Sequence, residues 1–160
     1  MQIFEGKHLT VQERDGWEFV ERKRAREAVA IIATDGGRLV LTEQFRRAVN
    51  TRVLDLPAGL IEQYGAEETA RRELEEETGF TCTSLTLLAT APTSPGITSE
   101  IVHCYRAEGL RRTGAGGGVE GEEITVHLVP LQQAEAWLRK RSEMVDVKVW
   151  AALYFASQST

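Results

Sequence analysis

The chain has 160 residues, which by length is one domain able to bury most of its apolar surface. Its 42% hydrophobic and 27% charged residues are ordinary for a soluble globular protein, and a net charge of −5 gives no electrostatic case for a nucleic-acid polymer as partner. No apolar run approaches the roughly 18 residues of a membrane span, the first residues lack a signal-peptide pattern, and two isolated cysteines, Cys82 and Cys104, suit a reducing interior, so a cytoplasmic protein is expected.

Residues 3–11 alternate loosely between apolar and polar, Arg14-Asp15-Gly16 marks a turn, and residues 17–20 resume the alternation. The first 27 residues therefore read as a β-hairpin followed by the charge run 21–27, which is either a solvated connection or a source of cations. Residues 28–33 are an apolar run, and Asp35-Gly36-Gly37 turns the chain into residues 38–43, giving two central strands. Glu43-Gln44-Phe45-Arg46-Arg47 then carries two arginines at a strand exit. Such a pair is either surface charge or, beside a metal, a planar diphosphate clamp.

Residues 52–56 form the next strand, ended by Pro57, and residues 56–62 run as a strand end and tight glycine loop into a helix over 66–78. Glu67 and Glu68 suit the positive end of that helix, and Gly79 caps the other. Glu73, Glu76 and Glu77 fall within about a third of its circumference, beside an apolar side carrying Ala70 and Leu74. Like charges at Glu73 and Glu77 repel by roughly a few tenths of a kcal/mol, and carboxylates in a last turn oppose the helix dipole. A hard divalent cation removes both penalties, since Mg²⁺ takes carboxylate oxygens and shares its other positions with water and phosphate. The alternative is a solvated acidic face, and Glu75 is expected to be only that, paired at i+4 with Arg71.

Strands are expected over 85–90 and 101–107, joined by a stiff loop, 91–100, with two prolines and a glycine. His103 reads as a packed or surface histidine. Residues 109–121 hold six glycines and are not expected to form an ordered element alone. A last strand over 124–129, a helix over 132–141 and a helix over 146–156 follow, the last with a core-packing stripe of Val149, Trp150, Leu153 and Tyr154. The order of elements implies an α+β fold, an α/β/α sandwich of mixed sheets between helices in a single domain, 1–160.

Gly59 followed by Arg72-Glu73-Leu74-x-Glu76-Glu77-x-Gly79-Phe80 resembles the Nudix box, the strand-loop-helix signature of hydrolases that cut nucleoside diphosphates linked to another moiety. The span from Gly59 to Arg72 is thirteen positions, one fewer than in the family pattern, and Tyr64 stands where the family has a glutamate. Glu68, at i−4 from Arg72, is a candidate replacement partner. Glu43-Gln44-x-Arg46 and the loop Ser94-Pro95-Gly96-x-Thr98-x-Glu100 resemble the ADP-ribose pyrophosphatase subgroup.

The resemblance implies metal ligation by Glu73, Glu76, Glu77 and the Ala58 carbonyl, with Mg²⁺ or Mn²⁺ as the ion, and catalysis by Glu76 and Glu77 together with a loop glutamate, Glu120 or Glu122, with Glu123 third. It implies substrate contacts at Arg46, Leu60 and Glu100. It also implies a homodimer built by residues 1–27, with Trp17 stacking on a base and Arg22, Arg24 or Arg26 meeting phosphate in the second copy's active site. The expected reaction is metal-dependent hydrolysis of ADP-ribose or a related nucleoside diphosphate sugar to a nucleoside monophosphate and a sugar phosphate, with no nucleic-acid or membrane partner. Rivals are GDP-mannose or another sugar nucleotide as substrate, a Nudix-fold binding module without catalysis, and a structural domain with a merely acidic helix.

Overall fold

A computed structural model describes residues 1–119 and 121–158. The N-terminal alternation folds as three antiparallel strands rather than two: β1 (Gln2–Glu5), β2 (Leu9–Arg14) and β3 (Trp17–Arg22). The turn falls at Asp15-Gly16 as expected, but residues 2–14 break at Gly6, so the predicted first strand splits in two.

Next come β4 (Glu27–Asp35), β5 (Arg38–Arg46), β6 (Thr51–Asp55) and β7 (Ala58–Leu60), and then the acidic helix α1 (Ala66–Thr78). After it follow β8 (Phe80–Thr81), β9 (Ser84–Pro92), β10 (Ile101–Glu108), β11 (Arg111–Arg112) and β12 (Thr125–Pro130). The C-terminal part is α2 (Ala134–Arg139), β13 (Met144–Val145) and α3 (Val147–Ser157). The predicted helix over 132–141 is shorter, because Leu131–Gln133 is wound as a 3₁₀ turn.

Two mixed sheets share the β4–β5 hairpin. β4 pairs in parallel with β10 and antiparallel with β7, while β5 lies between β6 and β12 and touches β4 only next to the turn. Alternation along β4 divides the core. Ala28, Ala30 and Ile32 face α2 and α3 with Leu54, Leu138 and Val149, whereas Val29, Ile31 and Ala33 face α1 with Ala70, Leu74 and Phe80. The layers are helix, sheet, helix, the α+β sandwich expected. Buried Glu43 on β5 joins Arg52 of β6, His127 of β12 and Arg141 in one ion cluster. That cluster pins three strands together just before Arg46.

Two expectations about loops are corrected. Residues 58–60 are a strand, since their backbone completes the edge of β4 opposite Ala28–Ala30. The glycine-rich segment does form ordered structure: β11 pairs with β8, and the residues after it bind the end of α1.

Candidate active site

The site is assembled where β7 passes under α1. Gly59 faces Val29 on β4, and Glu73 of α1 lies directly over it, so that a Cβ at Gly59 would overlap the Glu73 carboxylate. One turn on, Glu77 is buried, on the same side of the helix as Leu74, and accepts a hydrogen bond of 3.0 Å from the Ala58 backbone N–H. Strand and helix are thus joined through the side chains that sequence had singled out.

Glu77 has no ion-pair partner among the described residues. Burial, above all, pushes its carboxyl up to about 8, the nearby Glu73 and Glu122 add to the rise, and the Ala58 N–H and Arg46 oppose it. Burial also raises Glu73, although the adjacent Arg72 guanidinium favours its charge. Glu122, whose charge acts on both, lines with Gly59, Glu73 and Glu77 a cleft of about 760 Å³. An uncompensated buried carboxylate beside two others is a place where a divalent cation is gained at little further desolvation.

Arg72 disturbs the expected ligand set. Its guanidinium lies 3.0 Å from Glu73 and 3.9 Å from Glu76, and its cation stacks over the Tyr64 ring with the centroid 5.2 Å away. Among the described residues no three carboxylates are drawn into a ready-made ligand group, and Arg72 occupies the space between Glu73 and Glu76. The oxygen donors and their common helix face fit a hard cation once Arg72 turns away. The expected pairing of Arg72 with Glu68 is not formed, since Tyr64 and the two box glutamates take that place. Nor does Glu75 pair with Arg71, which bonds to Glu67 and the Cys82 carbonyl, while Glu75 accepts from the Thr113 hydroxyl.

Cations line the same cleft. Arg46, at the exit of β5, stands 3.6 Å from Asp55, and Lys148 of α3 lies 3.3 Å from the same carboxylate. Burial pushes Asp55 up, with Lys148 pulling the other way. Burial works against the Lys148 ammonium, but Asp55 and Asp146 outweigh it and keep its pKa above the usual value. Neither Asp55 nor Lys148 was expected from the sequence. A lone aspartate ending an apolar strand, and a lysine two positions past the Asp146 helix cap, were the available signals.

The proline loop is no plain connector. Its Ile97 carbonyl and Ser99 N–H bond to Val20 of β3, and Glu100 takes an ion pair of 2.9 Å from Arg22. Arg22, Leu60, Ala58 and Glu100 all line the cleft. Glu76 does not, and Glu123 does not. Trp17 lines a second hollow with Phe19 and Pro95, and neither it nor Arg24 lines this cleft within its own chain. Glu120 lies outside the described residues. His103 bonds to Glu27 and Thr90 on the sheet, away from the cleft, as its packed reading implied.

The family description NUDIX domain matches residues 23–151. The chain is 35% identical over 164 residues to an ADP-ribose pyrophosphatase of Bacillus subtilis, covering 96% of this chain and 88% of that protein. It is 36% identical to a methanol dehydrogenase activator of Bacillus methanolicus, covering 84% and 77%. It is also 35% identical to a GDP-mannose pyrophosphatase of an Enterobacter species, covering 73% and 65%. A solved structure described as an ADP compounds hydrolase superposes with a TM-score of 0.77 at 23% identity, over 99% of this chain and 89% of that one, and so shares the fold. With the box residues gathered on α1 and β7 and this agreement over most of its length, the chain belongs to the NUDIX domain family.

Proposed function

We propose that the protein is a metal-dependent pyrophosphatase acting on ADP-ribose or a related nucleoside diphosphate sugar, with AMP and ribose 5-phosphate as products from ADP-ribose. The observation that carries this reading is the cleft, which gathers Glu73, Glu77 and Glu122 with Arg46 and Arg22 around a space of ligand size. Relatives named for ADP-ribose and for GDP-mannose support the substrate class and leave GDP-mannose as the rival.

Glu73, Glu76, Glu77 and the Ala58 carbonyl would hold the cation, Mg²⁺ first and Mn²⁺ as the alternative. When bound, the ion supplies charge neutralisation at the phosphoryl group and a more acidic water. Arg46 would orient the diphosphate as a bidentate donor, Leu60 and Glu100 would line the substrate, and Glu122 would take the proton of the attacking water. Glu120 is the other candidate for that last role.

Exposed Phe4, Leu9 and Trp17 on the N-terminal sheet support a homodimer in which Trp17 and Arg24 serve a second copy's cleft. Light scattering should then give twice the 17.8 kDa chain mass, and a monomer at assay concentration counts against it. A cytoplasmic setting is in keeping with the two free cysteines, and no helix among the described residues is long and apolar enough to cross a membrane.

The test is incubation with ADP-ribose, GDP-mannose and a dinucleoside polyphosphate, each with and without Mg²⁺, followed by product identification. Metal-dependent release of AMP and ribose 5-phosphate is expected. No turnover of any of them by folded protein would bring the binding-module reading forward. Replacing Arg46 by alanine should raise KM about 10- to 100-fold, the worth of a charge-assisted contact, with kcat falling less. An unchanged KM would remove Arg46 from the substrate.

A further inference from the structure

The last turn of an α-helix leaves carbonyls without partners. In α1 they are met by a strap of glycine-rich backbone. Thr113 N–H donates to the Gly79 carbonyl at 2.8 Å, Gly117 N–H to Glu77 at 2.8 Å and Gly118 N–H to Glu76 at 3.0 Å. The Thr113 hydroxyl adds a bond of 3.0 Å to the Glu75 carboxylate. The strap therefore grips the turn that carries the acidic box.

Contact this close demands glycine on both sides, at Gly79, where a Cβ would overlap the Gly114 carbonyl oxygen, and in the strap at Gly116. Gly116 has φ +72°, and a Cβ there would overlap the Thr78 backbone and come within 2.7 Å of the Glu77 carbonyl oxygen, with no flexible side chain to give way. Beyond the strap the chain closes a short turn. Glu122 N–H bonds to the Val119 carbonyl at 3.0 Å, Val119 N–H to a Glu122 carboxylate oxygen at 3.1 Å, and Ile124 N–H to the Gly117 carbonyl at 3.3 Å. Glu122 is thereby held on the cleft wall beside Glu73 and Glu77. Side chains from two distant stretches of sequence keep their spacing because backbone is bonded to backbone.

We infer that the 113–118 strap is a positioning device, and that Gly116 sets the place of Glu122 relative to the acidic turn of α1 without touching substrate or metal. The inference rests on Glu122 as the group that takes the proton from water. Because a fixed strap holds the base in place before substrate arrives, its loss should act on turnover rather than on binding.

Gly116→Ala should lower kcat about 10²-fold, the usual worth of a placed base, with KM and the Kd for Mn²⁺ alone within about threefold of the parent. Gly114→Ala, whose Cβ meets nothing nearer than 4.0 Å, should behave like the parent. The double variant G116A/E122Q should be no slower than E122Q, since both remove one contribution. If G116A lowers Tm so far that it cannot be assayed, Thr113→Ala, which removes the hydroxyl anchors and adds no atoms, carries the same comparison with a smaller loss. Full kcat in G116A with E122Q impaired would overturn the strap alone, as would losses that multiply in the double variant or a matching loss of Mn²⁺ affinity. Full kcat in E122Q would remove the base assignment and this inference together, and a parent enzyme inert on every substrate would instead defeat the functional reading itself.

Discussion

Glu77→Gln should reduce hydrolysis by at least about 10³-fold, several kcal/mol of lost metal-assisted stabilisation, and yet leave the metal-free protein more stable than the parent at pH 8. The two effects have one origin. Burial raises the Glu77 carboxyl from 4.5 to about 8, so the folded state keeps a proton that the unfolded state has given up. Stability from this group is fully present below about pH 4.5 and is lost as pH rises through about 8. Above that pH the charged, cation-free carboxylate costs several kcal/mol, since each pH unit between the folded and unfolded pKa is worth about 1.36 kcal/mol. Glutamine keeps an acceptor for the Ala58 N–H and carries no charge to desolvate. Denaturant titrations of metal-free parent and variant between about pH 4.5 and 9 should show the parent declining and the variant flatter. Added Mg²⁺ should restore stability to the parent alone, because the ion binds the ionised form and stabilises the fold by linkage. Equal slopes with and without the substitution would show that Glu77 is already charged, and already compensated, in the folded protein.

The sequence made this helix legible for a physical reason. Carboxylates at positions 73, 76 and 77 conflict with local helix electrostatics, and such conflict marks a site rather than a scaffold. The helix limits 66–78, the β4–β5 hairpin at Gly36-Gly37 and the strand over 52–56 that leads towards Gly59 all follow from local turn chemistry and periodicity. What stayed hidden depends on tertiary placement. Lys148 lies in a segment whose apolar stripe announces only packing, and nothing local says that the start of α3 meets the end of β6. The glycine-rich segment misled for the opposite reason: composition speaks for conformational freedom, but the open carbonyls at the end of α1 supply partners that composition does not show.

Tyr64 shows how a departure from a motif can be filled by different physics. Tyr64 stands where the Nudix pattern has a glutamate, and its aromatic face meets the Arg72 guanidinium, a cation–π contact worth about 0.5–1 kcal/mol at an exposed site. Charge pairing with Glu68 had been the natural expectation from i−4 spacing. The structure instead turns Arg72 toward Glu73 and Glu76, where it holds the acidic face together through its own positive charge.

Gly59→Ala should separate activity from stability in the sharpest way. Gly59 lies in extended backbone on β7, so alanine meets no backbone strain there and reduces the freedom of the unfolded chain, an effect of about 0.4–1 kcal/mol in favour of folding. Its methyl group, however, needs the space now filled by the Glu73 carboxylate. Glu73 is the flexible end of a long side chain and can swing out, so the fold survives and the cleft loses an oxygen donor. Activity should fall about 10²- to 10³-fold, with Tm held or slightly raised. Glu73→Ala should match that loss, and the double variant should be no worse than either, because both act by removing the same carboxylate from the same place. A G59A enzyme with parental kcat/KM would show that hydrolysis does not need Glu73 over β7, and would shift the weight of metal holding to Glu76 and Glu77.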